Sequence, residues 1–118
     1  MSTLELIMAQ TLLRNCKMRT KSFLSGLAQV TEQEMTDAMQ CVFGKWLQGE
    51  GKSAYGTSEE WRTAEKAHQA YHRTVKKILD MRKQGLFFNP EQEMTKLEEF
   101  SQEAAYGLEA LKKRLDAK

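Results

Sequence analysis

Apolar side chains recur at three- and four-residue intervals along most of this chain, and no stretch alternates as a half-buried strand would. The pattern predicts four helices. The first runs from about Ser2 to Leu27, with Leu4, Ile7, Met8, Leu12 and Met18 as its apolar positions and Gly26 where it weakens. The second opens at Thr31, where Thr31-Glu32-Gln33-Glu34 matches a capping box, hydroxyl and carboxylate each satisfying a free backbone N–H. Met35, Ala38, Met39, Val42 and Trp46 form its stripe, and it ends near Leu47. Gly49, Gly51 and Gly56 then predict a mobile surface loop.

The third helix opens at Thr57 or Ser58. Thr57 and Glu60 form a second capping box, and Glu59 and Glu60 suit the positive end of the helix dipole. Its inward face reads Trp61, Ala64, His68, His72, Val75 and Leu79, and Gly85 is its stop signal. The fourth opens at Asn89-Pro90, an N-cap followed by proline at the first helical position. Met94, Leu97, Ser101, Ala104, Leu108, Leu111 and Leu115 form its stripe. The expected architecture is an all-α, antiparallel four-helix bundle forming a single domain over residues 1–118.

Composition narrows the class. At 118 residues and 41% hydrophobic, the chain suits one core, and a chain of this size buries roughly 65% of its unfolded surface. No apolar run reaches the ~18 residues of a membrane span, so no membrane insertion is expected. The start, Met-Ser-Thr-Leu-Glu, has no basic segment followed by an apolar one. Two cysteines make no disulfide framework, and a reducing cytoplasm is the expected compartment.

The net charge of +2 is unevenly spread: residues 1–30 carry +3, 31–60 carry −4, 61–90 carry +5 and 91–118 carry −2. That alternation follows the helix order, so antiparallel neighbours attract modestly. Arg73, Lys76, Lys77, Arg82 and Lys83 read as a solvated face. Nucleic-acid binders show a stronger overall basic bias, so no nucleic-acid partner is expected.

The candidate chemistry lies in three residues. His68 and His72 are the only histidines, one helical turn apart, so both imidazoles leave one face and can share a metal ion. Each would otherwise need its own buried hydrogen-bond partner. Cys41, in Cys41-Val42-Phe43-Gly44-Lys45-Trp46-Leu47 on the preceding helix, would add a soft anionic ligand. Three ligands of this type suit zinc, and a fourth is missing. Gly44 inside a helix implies close approach by a neighbouring helix or ring, while Trp46, Trp61 and the seven methionines read as core. No strand-turn-helix nucleophile or phosphate loop is present, and the acidic residues lie mostly on polar faces, unlike those of a di-iron bundle.

The Cys41–Leu47 run, followed by Ala67-His68-Gln69-Ala70-Tyr71-His72, resembles the chemoreceptor zinc-binding (CZB) domain, a likeness covering roughly residues 5–115. The resemblance implies a helical-bundle domain, often dimeric, found in bacterial cytoplasmic chemoreceptors and ahead of diguanylate cyclases. It implies one zinc held by three histidines and one cysteine. Cys41 matches the family cysteine, and His68 and His72 the paired histidines. It also implies sensing, of zinc or of oxidants such as hypochlorous acid at the zinc-bound thiolate, with the signal passed to an output domain. The chain departs from the family in Asn15-Cys16-Lys17-Met18-Arg19: Asn15 stands where the remaining histidine belongs, and Met18 replaces a tryptophan.

Four outcomes follow for the fourth position. A water or a weak Asn15 contact fills it; Cys16, about 100° further round the helix, fills it after a small rotation; or the metal has been lost. The reading is a cytoplasmic zinc-binding sensory module, homodimeric and not an enzyme by itself. Cys41 is expected to oxidise before Cys16, first to the sulfenic acid, letting the second helix shift against the third. The competing reading is a metal-free helical interaction module. A small redox enzyme using Cys16 and Cys41 is a third.

Overall fold

Three long helices and one segmented helical run make up the described part of the chain, residues 4–26, 32–85 and 90–116 of a computed structural model. α1 spans Leu4–Leu24, α5 spans Glu59–Lys83 and α6 spans Pro90–Asp116. Between α1 and α5 lie α2 (Glu32–Thr36), α3 (Val42–Trp46), a π-helical turn (Leu47–Gly51) and α4 (Lys52–Tyr55). No strand occurs among the described residues. The expected caps at Thr31 and Asn89 lie outside them.

Ion pairs and hydrogen bonds give the directions. Glu60 meets Arg114 and Lys77 meets Glu93, so α5 and α6 run antiparallel. Gln10 meets Glu109 and Lys17 meets Glu98, so α1 is antiparallel to α6. Cys16 lies against His72, and Arg82 donates to the Leu24 carbonyl, so α1 runs parallel to α5. The run 42–55 returns along α5, with Trp61 Nε1–H donating to the Leu47 carbonyl (2.9 Å) and Gln48 to Glu65 (2.7 Å). Opposite charges meet between these elements, as the segmental alternation of charge implies. Arg73, Lys76, Lys77, Arg82 and Lys83 are all exposed, with Lys83 paired to Glu32.

The helix starting at Ser58 follows the sequence most closely. Ser58 is its N-cap, its hydroxyl accepting from Trp61 N–H at 3.1 Å, so Thr57 lies just outside. Gly85, just past the end, adopts φ +68°, a left-handed conformation that favours glycine. Trp61, Ala64, His68, His72 and Val75 are buried; Leu79 is half-buried and Ile78 is inside. On α6, Leu97, Ser101, Ala104, Leu108 and Leu111 face the core, while Met94 is partly exposed and Glu93 is buried instead.

Two expectations need correction. The second helix is not continuous. Asp37 Oδ1 accepts from Met39 N–H (2.9 Å), closing a local turn that competes with the helical ladder and breaks it between Thr36 and Val42. Met39 and Val42, placed in the stripe by sequence, are 50% and 57% exposed. Conversely, the expected loop from Gly49 to Gly56 is mostly helical. Phe43, Leu47, Gly51 and Tyr55, each four residues on, are all buried and carry the chain down the core through the π turn.

α1 is also turned relative to its expected stripe. Leu6, Ala9, Leu13, Cys16 and Thr20 face inward, at alternating spacings of three and four. Leu4, Ile7, Met8 and Met18 are exposed. Among the described methionines, Met35 is wholly buried but Met8, Met18, Met39 and Met94 are exposed, so the expectation that the methionines form core holds for few of them.

Candidate metal centre

Each of three elements brings its chemistry to one point. α5 presents His68 and His72 from successive turns of its buried face. The turn after α2 delivers Cys41, which is the N-cap of α3 in extended conformation (φ −87°, ψ 151°). Its Sγ accepts from Gly44 N–H at 3.4 Å. Gly44 itself is required here: a Cβ would stand 1.7 Å from the Ala38 carbonyl oxygen and 3.0 Å from His68 Cε1. The expected close approach at Gly44 is therefore both the turn and the imidazole. α1 contributes Cys16 from its buried stripe.

The ligating atoms of Cys16, Cys41, His68 and His72 all lie within 4.8 Å of one another, and all four residues are buried. Cys41 Sγ is 3.2 Å from His68 Nε2, and Cys16 Sγ is 3.6 Å from His72 Nε2. The two sulfurs are 3.6 Å apart and the two Nε2 atoms 3.0 Å apart. A tetrahedral zinc with its usual bond lengths sets S···S at about 3.8 Å, S···N at about 3.6 Å and N···N at about 3.3 Å. These four separations match that frame to within about 0.4 Å, the others staying within 4.8 Å, and the chemistry of the set, two thiols and two imidazoles, suits zinc.

The surroundings hold the rings. His72 Nδ1 lies 2.6 Å from the Met35 carbonyl; donating there leaves Nε2 turned toward the sulfurs. His68 packs its ring edge-on against Phe43 (centroids 4.9 Å) and against His72 (4.6 Å). The cysteines titrate as a pair. The hydrogen bond with Cys16 holds the Cys41 thiol far below its ordinary range, His68 and His72 adding to the effect against the cost of burial. Cys16 is pushed up by the same hydrogen bond, by burial and by the charge on Cys41. The two shifts are opposite in direction, toward the thiolate at Cys41 and toward the thiol at Cys16. Burial likewise raises the neighbouring Tyr71 phenol.

Of the residues singled out by sequence, Cys41, His68 and His72 come together, and Cys16 joins them with no rotation of α1. Asn15 is exposed and lines the adjoining cleft. The signal for Cys16 was present as the Leu6, Ala9, Leu13, Cys16, Thr20 spacing, but the larger side chains of the opposite face masked it. The comparisons agree with the site. The family model of the chemoreceptor zinc-binding domain matches residues 15–79, a span that holds all four residues. No curated protein and no solved structure matches the chain.

Proposed function

The chain belongs to the chemoreceptor zinc-binding domain family, and we propose that it is a zinc-binding sensory module of bacterial signal transduction, of the chemoreceptor or diguanylate cyclase type. The observation that carries this reading is the convergence of Cys16, Cys41, His68 and His72 within 4.8 Å. These four residues hold the zinc, and Cys16 replaces the histidine that the family places on the first helix. Bound zinc keeps both thiols in the thiolate form. Asn15 is not a ligand in this reading, because its neighbour already occupies the inward face.

The module senses zinc or a two-electron oxidant and has no catalytic activity of its own. Cys41 is the responsive thiolate. It sits at a joint between a turn and α3 rather than inside a long helix, so its displacement moves the run 42–55 against α1 and α5. In a bundle with a segmented second helix, that run is the mobile part, and an output domain or partner reads its position. The exposed apolar residues of α1 (Leu4, Ile7, Met8, Met18) support a homodimer formed through this face. A cytoplasmic location fits the free thiols, and no helix among the described residues is long and apolar enough to cross a membrane.

Elemental analysis of protein purified without added metal tests the reading. The expected result is close to one zinc per chain, removed by chelators and restored by titration. Negligible metal, with no shift in melting temperature on adding zinc, overturns it and leaves a metal-free helical interaction module.

A further inference from the structure

The family resemblance places one cysteine at the metal; this chain places two, with their sulfurs 3.6 Å apart. We propose that Cys16 is a resolving thiol as well as a ligand, so that oxidation of the site ends in a Cys16–Cys41 disulfide that discharges the metal and is reversed by thiols. The metal half of this proposal rests on the zinc-site reading above; the disulfide half rests on the two sulfurs alone.

Three observations support it. A disulfide requires the sulfurs to close to about 2.05 Å, a movement of roughly 1.5 Å from their present separation. Cys16 lies in the middle of the 21-residue α1, but Cys41 lies at the boundary between the Asp37–Gln40 turn and the five-residue α3, where small backbone rotations suffice. Access is also directional. A cleft of about 620 Å³ is lined by both cysteines, with Asn15, Met18 and Val42 at its walls, and by neither histidine. A small oxidant entering there meets sulfur first. The remaining feature is composition: these are the only two cysteines in the chain, so no other thiol competes within one molecule.

The chemistry balances with hydrogen peroxide or hypochlorous acid as the oxidant. With peroxide, the Cys41 thiolate attacks one peroxide oxygen, the O–O bond breaks, and hydroxide leaves, giving the Cys41 sulfenic acid. The Cys16 sulfur then attacks Cys41 Sγ and the S–O bond breaks; the departing hydroxide leaves as water, taking the Cys16 proton in metal-free protein and a solvent proton where zinc has already displaced it. Each sulfur gives up one electron and the peroxide gains two. A single thiol would stop at the sulfenic acid, from which further oxidation is irreversible. Here the second sulfur intercepts that species. The disulfide removes both anionic donors together, leaving two imidazoles as the only ligands, so release is all-or-none rather than a gradual weakening.

The test treats zinc-loaded and chelator-stripped protein with less than one equivalent of peroxide. Intact mass, non-reducing peptide mapping and a chromogenic zinc indicator are read together. The expected product has lost two hydrogens, shows a Cys16–Cys41 cross-link within one chain, releases one zinc per disulfide, and recovers mass and zinc binding with dithiothreitol. In stripped Cys16→Ser protein, Cys41 instead accumulates as a dimedone-reactive sulfenic acid, which wild type does not. Gain of oxygen at Cys41 without a cross-link, in both loaded and stripped wild type, overturns the proposal while leaving the zinc site intact. A cross-link between two chains overturns it equally. Protein that never takes up zinc overturns the metal-site reading, and the stripped arm still decides the disulfide.

Discussion

α5 and α1 both carry imidazole or thiol groups to the same point, yet only one of them shows its inward face in its sequence. On α5 the apolar stripe Trp61, Ala64, His68, His72, Val75 is separated by charged residues at Glu65, Lys66, Arg73, Lys76 and Lys77, so a single face can be buried. On α1 apolar residues lie on two faces. Leu6, Ala9, Leu13 and Cys16 are buried, while Leu4, Ile7, Met8 and Met18 are 42–70% exposed. A helix with one apolar face has one way to pack. A helix with two has its orientation chosen by its neighbours, and its other face stays exposed.

The metal site gives the largest expected contrast. His68→Ala and His72→Ala on α5, and Cys16→Ser on α1, should each weaken zinc binding by more than the roughly 10–100-fold typical of losing an outer-shell partner. Asn15→Ala should leave it unchanged within about 2-fold, and Asn15→His should bring no gain. Chelator competition at fixed pH measures all of these. A large effect at Asn15, with none at Cys16, would reverse the assignment of the inward face.

Stability sharpens the same distinction. Leu6 on α1 is fully buried, so Leu6→Ala should cost about 2–5 kcal/mol in denaturant unfolding. Met18, at 65% exposure, should cost no more than about 0.5 kcal/mol when changed to alanine in the monomer. Equal costs would mean that α1 is turned differently.

The exposed face is broken more selectively by charge. Ile7→Glu combined with Met18→Glu should dissociate a homodimer, raising the dissociation constant by at least about 10-fold if the dimer uses this face. Far-UV circular dichroism should be unchanged. Sedimentation velocity reads the result, and an undisturbed dimer would place the interface elsewhere.

The smallest effect is electrostatic. The Arg114 guanidinium, 2.7 Å from Glu60, holds that carboxyl below its ordinary range. A lowered folded-state value means that the stabilisation is present above the unfolded value and lost as pH falls through the folded one. Arg114→Ala should therefore cost about 0.2–1 kcal/mol at neutral pH, as exposed pairs do, and the difference should vanish in acid. Unfolding of both proteins at neutral and acid pH, at low salt, checks it.

How much was legible beforehand follows the same division. Helical period, the His68–His72 pair, the Cys41 run, the crowding at Gly44 and the stop at Gly85 are local properties, set by spacing, ring size and backbone freedom. The break at Asp37 was written in a single side chain whose local hydrogen bond outcompetes the helix, and an apolar period does not register it. The helical run through Gly49 and Gly51 was hidden because glycine reads as loop, although Phe43, Leu47, Gly51 and Tyr55 keep a four-residue spacing along the core.

The sequence by itself determined that the chain is helical, that His68 and His72 share a face, and that Cys41 stands in a family motif. Only the tertiary structure decided that Cys16, not Asn15, turns inward beside them. The reason is geometric: periodicity sets the spacing of residues along a helix, but where both faces are apolar the rotation of that helix is set by what packs against it. On α1 the burial of Leu6, Ala9, Leu13 and Thr20 on one face carries Cys16 into the cluster.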